Sequence, residues 1–303
     1  MAISIYNIKK WYLMLTGKSI LHVNQDIGKN FSTTEIKGYY NNLTEKVTRA
    51  LELLTSDALP MTAIESGEQI EFPVAIFQYG LGAYDLYLQT GEEKYKIKFF
   101  QCCQWALNHQ EASGAWLNFI NIYPEHPYGA MCQGEGASLL LRAYHEINEK
   151  RYFESAERAI NFMLTPVDQG GTLLIENSDY ILLEFTHKAP VLNGWIFALF
   201  GLYDMLLSCK NEQYKRMYDD ILKTLIRFMP KYDNGYWSLY NTEGAIASPF
   251  YHNLHIAQMQ ALGQMTTEDI FKEYQTRWEI DRKSRVKRIR AFAKKVMQKI
   301  FEK

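Results

Sequence analysis

Along most of this chain apolar residues recur at the three-to-four-residue spacing of helices, in paired segments joined by short turns. The first pair is FPVAIFQYGLGAYDLYLQTG from Phe72, then EEKYKIKFFQCCQWALNHQ after the Thr90-Gly91 break. MCQGEGASLLLRAYHEI from Met131 pairs with RYFESAERAINFML from Arg151, and VLNGWIFALFGLYDMLL from Val191 with NEQYKRMYDDILKTLIRFM from Asn211. YHNLHIAQMQALGQM from Tyr251 and TEDIFKEYQTRWE from Thr267 form the fourth pair. The first members therefore recur about every 60 residues, and GAYDLYL at Gly82 answers GLYDMLL at Gly201. They are almost continuously apolar and rich in small residues, whereas the second members are polar on one face. Such hairpins stack as an open solenoid or close into a ring. The contrast between members favours closure: an all-α fold, an α/α toroid or incomplete barrel, with the first members inside and the second outside.

Two segments break the helical period. GGTLLIENSDYILLEF alternates apolar and polar residues behind Gly170-Gly171, which predicts a β-hairpin, and GYWSLYN after Asp233-Asn234 predicts a shorter extended piece. Both lead from an outer helix to an inner one, so both fall at the same rim of the ring. Loops at one end of a rigid scaffold are where a site is expected.

With 303 residues, 47% of them hydrophobic, the chain can bury a large core as one or two domains. The boundaries read as an N-terminal extension over 1–21, the helical domain over 22–280 and a basic C-terminal helix over 281–303. That last segment holds ten Lys or Arg against Asp281 and Glu302, a balance of +8, so a net charge of -1 leaves the rest at -9. An acidic body speaks against a nucleic-acid role for the whole chain. Val286, Ile289, Phe292, Val296 and Ile300 fall near one face of the basic helix, a pattern that suits an anionic membrane surface or a solvated helix packed on the body. Cys102, Cys103, Cys132 and Cys209 lack the spacing of a zinc site and read as reduced core thiols. MAISIYNIKKWYLMLTGKS lacks the features of a secretory signal, and no window reaches the roughly 20 apolar residues of a spanning helix. The expected location is cytoplasmic, with the tail available to hold the protein at the inner face of a membrane.

FPVAIFQYGLGAYDLYLQTG, GAMCQGEGASLLLRAY, VLNGWIFALFGLYD, the tyrosine of WSLYN and YHNLHIAQMQAL, taken in order, resemble the C-terminal domain of the glucuronyl C5-epimerases. The likeness runs from about His22 to Phe271 and beyond. It implies removal of the hydrogen at C5 of a uronate and return of a proton to the opposite face, converting D-glucuronyl to L-iduronyl units in heparosan-like polysaccharides. Such chemistry needs two acid/base groups flanking one carbon and something to stabilise the enolate. By resemblance, Glu184 matches the family glutamate before the NG helix, Tyr240 the tyrosine of the extended segment and Tyr251 the tyrosine opening the last inner helix. Glu184 and Tyr251 are then the opposed pair, with Tyr240 orienting substrate or donating to the developing charge.

Two positions depart from the family pattern: Phe185 stands where a tyrosine is usual, and Glu243 where an arginine could pair with the substrate carboxylate. Another cation is then required, and His252, His255 and Lys188 are nearest in sequence. His252, His255, Asn193, Trp116 and Gln133 are expected to touch substrate, Trp116 by stacking on a sugar or else by covering the core. His252 and His255 lie one helical turn apart, but no third ligand is evident, so no metal is assigned. Gln133, Gly134 and Gly136 lack the strand and lysine of a phosphate loop and read as close helix packing. No cofactor is expected; the resemblance implies a uronate-containing glycan as substrate and a homodimer. A lyase or hydrolase on the same toroid, or a glycan-binding or assembly protein without turnover, are the competing readings.

Overall fold

The computed structural model describes residues 22–301, so the extension assigned to 1–21 lies outside the described residues. Four helical hairpins follow one another. Helix α1 (Thr44–Thr48) precedes them. The pairs are α2 (Pro73–Thr90) with α3 (Glu93–His109), α4 (Ala130–Ile147) with α5 (Lys150–Met163), α6 (Leu192–Ser208) with α7 (Glu212–Phe228), and α8 (Pro249–Met265) with α9 (Asp269–Lys283). Helix α10 (Arg285–Phe301) ends the chain. The hairpins form an α/α toroid, with α2, α4, α6 and α8 inside, α4 packed on both α2 and α6, and α6 on α8.

Local chemistry sets the ends of these helices. Pro73 and Pro249 occupy first-turn positions, where no intrahelical N–H is needed. Asn211 caps α7, its side chain accepting from the Gln213 and Tyr214 amides. Gly91 closes α2 in the left-handed region, φ 72°, its N–H donating to the Tyr87 carbonyl. Inner helices approach closely because glycines face each other: a Cβ on Gly134 would lie 2.6 Å from the Ala198 Cα, and one on Gly201 2.5 Å from the Gly134 Cα. The packing role expected of Gly134 and Gly136 follows, since a Cβ on Gly136 would enter the Trp116 and Phe77 rings. Cys102, Cys103 and Cys132 are buried free thiols and Cys209 is half-buried.

The hairpin predicted after Gly171 is present: β3 (Leu173–Glu176) pairs antiparallel with β4 (Asp179–Leu182), turning through Asn177 and Ser178 at positive φ. GYWSLYN, expected to be extended, forms no regular strand; single bridges Asp233–Ser238, Leu239–Ile246 and Val191–Asn241 hold it instead. A further hairpin, β1 (Met61–Ala63) with β2 (Gln69–Glu71), precedes α2 and was not foreseen.

At the C-terminal ends of the inner helices a buried polar cluster closes the ring. Asp85, Arg142 and Asp204 stand at comparable places in α2, α4 and α6. Arg142 Nη1 donates to Asp204 Oδ2 at 2.7 Å and Nη2 to the Gly38 carbonyl at 3.0 Å. Tyr40 donates to the other oxygen of Asp204 at 2.6 Å, and the Tyr39 amide to Asp85 at 3.0 Å. The segment before α1 is thereby drawn across the ring from the start of α8, where His22 meets Phe250 edge-on at 5.0 Å.

Candidate active site

The opposite rim carries the N-termini of the inner helices, with Glu184, Tyr240 and Tyr251 beside one another. Glu184 leaves β4 over a tightly held backbone: the Ala130 amide donates to the Leu183 carbonyl at 2.8 Å, and the Leu183 amide to Thr172 at 3.0 Å. The NG sequence opening α6 makes room for its side chain, since a Cβ on Gly194 would overlap the Glu184 carboxyl and lie 2.6 Å from its Cβ. Tyr240 is fixed against the same helix start. Its carbonyl accepts from the Leu192 amide at 3.1 Å and its amide donates to Ala245 at 2.6 Å. Ser248 caps α8 by accepting from the Tyr251 amide at 3.3 Å, which fixes the first turn that carries Tyr251. The Tyr240 and Tyr251 rings then meet at 4.9 Å.

Electrostatically this trio is unusual. Glu184 is half-buried as a residue, yet its Oε2 is sealed from solvent without a hydrogen-bond partner. Burial pushes its carboxyl up to about 8, Lys188 opposing. Burial, then the neighbouring Glu184 charge, holds both phenols above the ordinary tyrosine value. Their mutual contact raises Tyr240 further and lowers Tyr251, so that Tyr240 supports charge on Tyr251. Beneath them Glu135 is fully buried, accepting from Gln78 Nε2 at 2.8 Å, while its Oε2 has no hydrogen-bond partner. Burial pushes this carboxyl to about 8 as well, with Gln78 and Lys46 opposing and Glu184 adding to the rise. Lys46, also buried, is pushed down to about 8 by desolvation, offset in part by Glu135.

The other expected contact residues are placed differently. Trp116 and Gln133 do not line an open site: both are buried, Gln133 accepts from the Trp116 amide at 3.0 Å, and the Trp116 indole donates to Ala106 at 2.8 Å. They lock the loop before α4 into the core, which corrects the sugar-contact reading. His252 and His255 are buried around Ser238, whose hydroxyl is 2.8 and 2.9 Å from their Nδ1 atoms. Desolvation keeps both neutral, His252 down at about 3, so neither supplies the missing cation. Asn193 is buried with its side-chain oxygen unpartnered, at the entrance of α6. Phe185 stacks on Phe119 at 4.6 Å, and Glu243 is exposed in the turn closed by Gly244 at φ 86°.

Lys188 is a cation at this rim, as is Lys295, whose Nζ lies 6.0 Å from the centre of the Tyr240 ring. Lys188 Nζ donates to the Tyr123 hydroxyl at 2.7 Å and stands 4.8 Å above the Phe185 ring. Tyr123, which also contributes to the raised value of Tyr240, had no signal in sequence beyond its place in an inter-helix loop. It brings a hydroxyl beside Phe185, the position lacking one. Glu135, Gln78 and Lys46 were likewise missed; polar residues within otherwise apolar inner helices were the available sign for the first two.

Comparison with known proteins follows the same line. The sequence model described as D-glucuronyl C5-epimerase C-terminus matches residues 116–280. The D-glucuronyl C5-epimerase of Caenorhabditis elegans is 23% identical over 215 residues, 61% of this chain and 35% of that protein. An uncharacterized protein of Methanocaldococcus jannaschii is 34% identical over 156 residues, 50% of this chain and 51% of its own. The matched regions thus span about half or less of these relatives. Among solved structures, the cellobiose 2-epimerase of Spirochaeta thermophila superposes with a TM-score of 0.52 at 11% identity, covering 89% of this chain and 80% of that one. The unsaturated glucuronyl hydrolase of Bacillus sp. GL1 gives 0.50 at 12% identity, covering 82% and 66%. These two likenesses establish the toroid alone, whereas the sequence match covers more than half of the chain and all three rim residues: the protein belongs to the D-glucuronyl C5-epimerase C-terminal family.

Proposed function

We propose that this protein epimerises C5 of D-glucuronyl units in a glycan to the L-iduronyl configuration. The observation that carries the reading is the unpartnered, high-pKa carboxyl of Glu184 beside the coupled phenols of Tyr240 and Tyr251. A carboxyl ionising at about 8 exchanges protons readily near neutral pH, where a general base or acid is most effective. In its ionised form Glu184 takes the C5 proton, and the C–H electron pair moves into the substrate carboxylate as an enolate. The Tyr251 hydroxyl delivers its proton to the other face of C5, and the enolate pair forms the new C–H bond. Tyr240 donates to the phenolate left on Tyr251, and a proton passes from Glu184 back to Tyr251 through solvent before the next turnover.

Developing charge on the substrate carboxylate needs positive potential. Lys188 supplies it, aided by the N-termini of the inner helices, whose dipoles favour an anion at this rim. The exposed Glu243 lies in the turn beyond Tyr240, where solvent screens its charge. Exchange of the C5 hydrogen with deuterated water and formation of the L-iduronyl epimer on uronate oligosaccharides test the proposal: wild type is expected to do both, Glu184→Gln neither, and Tyr251→Phe to form no epimer. Full epimer formation by both variants sinks the assignment of these residues. A new unsaturated sugar absorbing in the ultraviolet would assign the same proton abstraction to elimination, and no exchange on any uronate would favour a binding protein.

A further inference from the structure

Helix α10 reverses the usual arrangement of an amphipathic helix: it docks on the body by its polar and small residues and turns its apolar stripe outward. On the docked side Ala291 is buried against Trp237, Ile246 and Ala247. Gln298 accepts from the Ile246 amide and donates to the Gly244 carbonyl, both at 2.8 Å. Arg290 stacks over Tyr236 at 4.0 Å, and Lys287 pairs with Asp281. On the outer side Val286, Ile289, Phe292 and Met297 are exposed by 76, 69, 46 and 49%. Single exposed apolar residues are ordinary, but four on one helix face are not.

We infer that this face docks on an anionic lipid bilayer. The exposed stripe is flanked along its length by Lys283, Arg285, Arg288 and Lys294, all exposed, in a segment whose balance is +8 on a body of -9. Apolar residues entering the acyl boundary beneath long cations that reach the headgroups is the composition of an interfacial helix. A second copy fits less well, because isologous pairing of the two stripes would set these cations against one another. The acidic body is repelled by the same surface, so only this face approaches it. Because Gln298 fastens α10 to the 244–246 turn, docking brings the loop carrying Tyr240 close to the bilayer.

Flotation of the full chain with phosphatidylcholine vesicles, with and without phosphatidylglycerol, tests the inference independently of the reaction. Wild type is expected to float only with the anionic lipid and to be released by high salt. Ile289→Glu combined with Phe292→Glu is expected to lower the bound fraction about tenfold or more, with an unchanged thermal transition because both side chains are exposed. Glu184→Gln should float like wild type. The inference is overturned if wild type does not float, if neutral vesicles hold it equally, or if the double variant floats unchanged. It is overturned too if sedimentation reveals a dimer that the double variant abolishes without loss of lipid binding, which assigns the stripe to a second copy.

Discussion

The two ends of the ring use similar residues in opposite ways. At the C-terminal end of the inner helices Asp204 and Arg142 are as deeply buried as any group in the molecule, yet each faces an opposite charge, and Tyr40 and the Gly38 carbonyl take up further hydrogen-bonding capacity. At the N-terminal rim Glu184 keeps a sealed oxygen without a partner and Glu135 beneath it does the same. Burial of a carboxyl without a countercharge in contact raises its pKa. The charge-paired cluster holds the fold together, although Arg142 Nε and the Tyr39 hydroxyl within it are themselves unpartnered; the carboxyls without a countercharge in contact are the ones that hold protons that can be moved.

The largest test of this contrast is at the rim. Glu184→Gln and Tyr251→Phe should each lower epimerisation at C5 about a hundred- to ten-thousand-fold, while far-ultraviolet circular dichroism stays native. Retention of rate in both variants would erase the distinction between the ends. At the closed end the penalty should fall on stability instead: Arg142→Ala strands Asp204 in the core, with an expected loss of about 3–5 kcal/mol in urea unfolding. A variant as stable as wild type would mean that the cluster is not a structural lock. Lys188→Ala should act more mildly, lowering kcat for a uronate substrate about tenfold with little change in Tm. A rise in KM at constant kcat would instead assign Lys188 to binding of the substrate carboxylate alone.

An effect comparable to that of Lys188 concerns pH. An unfolded glutamate ionises near pH 4.3, whereas folded Glu184 keeps its proton up to about 8. Its contribution to stability is therefore complete below about pH 4.3 and lost as pH rises through about 8. Glu184→Gln cannot ionise. Its stability relative to wild type should increase by about 1–2 kcal/mol between pH 5 and pH 8.5, discounted for the partial exposure of the residue, as read by thermal unfolding. Asp85, raised to about 7 at the other end, should behave with the same sign over a lower range.

The helical repeat was legible because inner and outer members differ in composition, and helix starts fell within two residues of expectation, as at Leu192 and Pro249. The convergence of Glu184, Tyr240 and Tyr251 was legible for a related reason: the first two lie in segments that join an outer helix to an inner one, and Tyr251 lies in the first turn of an inner helix. What a side chain does once it reaches the rim was less visible. Trp116 read as a sugar platform or as a cover for the core, and the missing side chain of Gly136 lets the ring sink into the core. His252 and His255 read as polar candidates at helical spacing, whereas their shared partner Ser238 lies in a different segment. Tyr123 meets Lys188 through tertiary contact between two loops, which no local pattern encodes. Helix α10 had a recognisable apolar face, but only the docked Ala291 and Gln298 reveal which face turns outward.

The cluster of Tyr40, Arg142 and Asp204 has a topological consequence for the traffic of a polymer. With the far end of the ring closed by side chains and by the segment around Gly38, Tyr39 and Tyr40, the axis is open from one end at most. On the proposed reading, a glycan that brings a sugar to Glu184 would enter and leave by the same side of the ring.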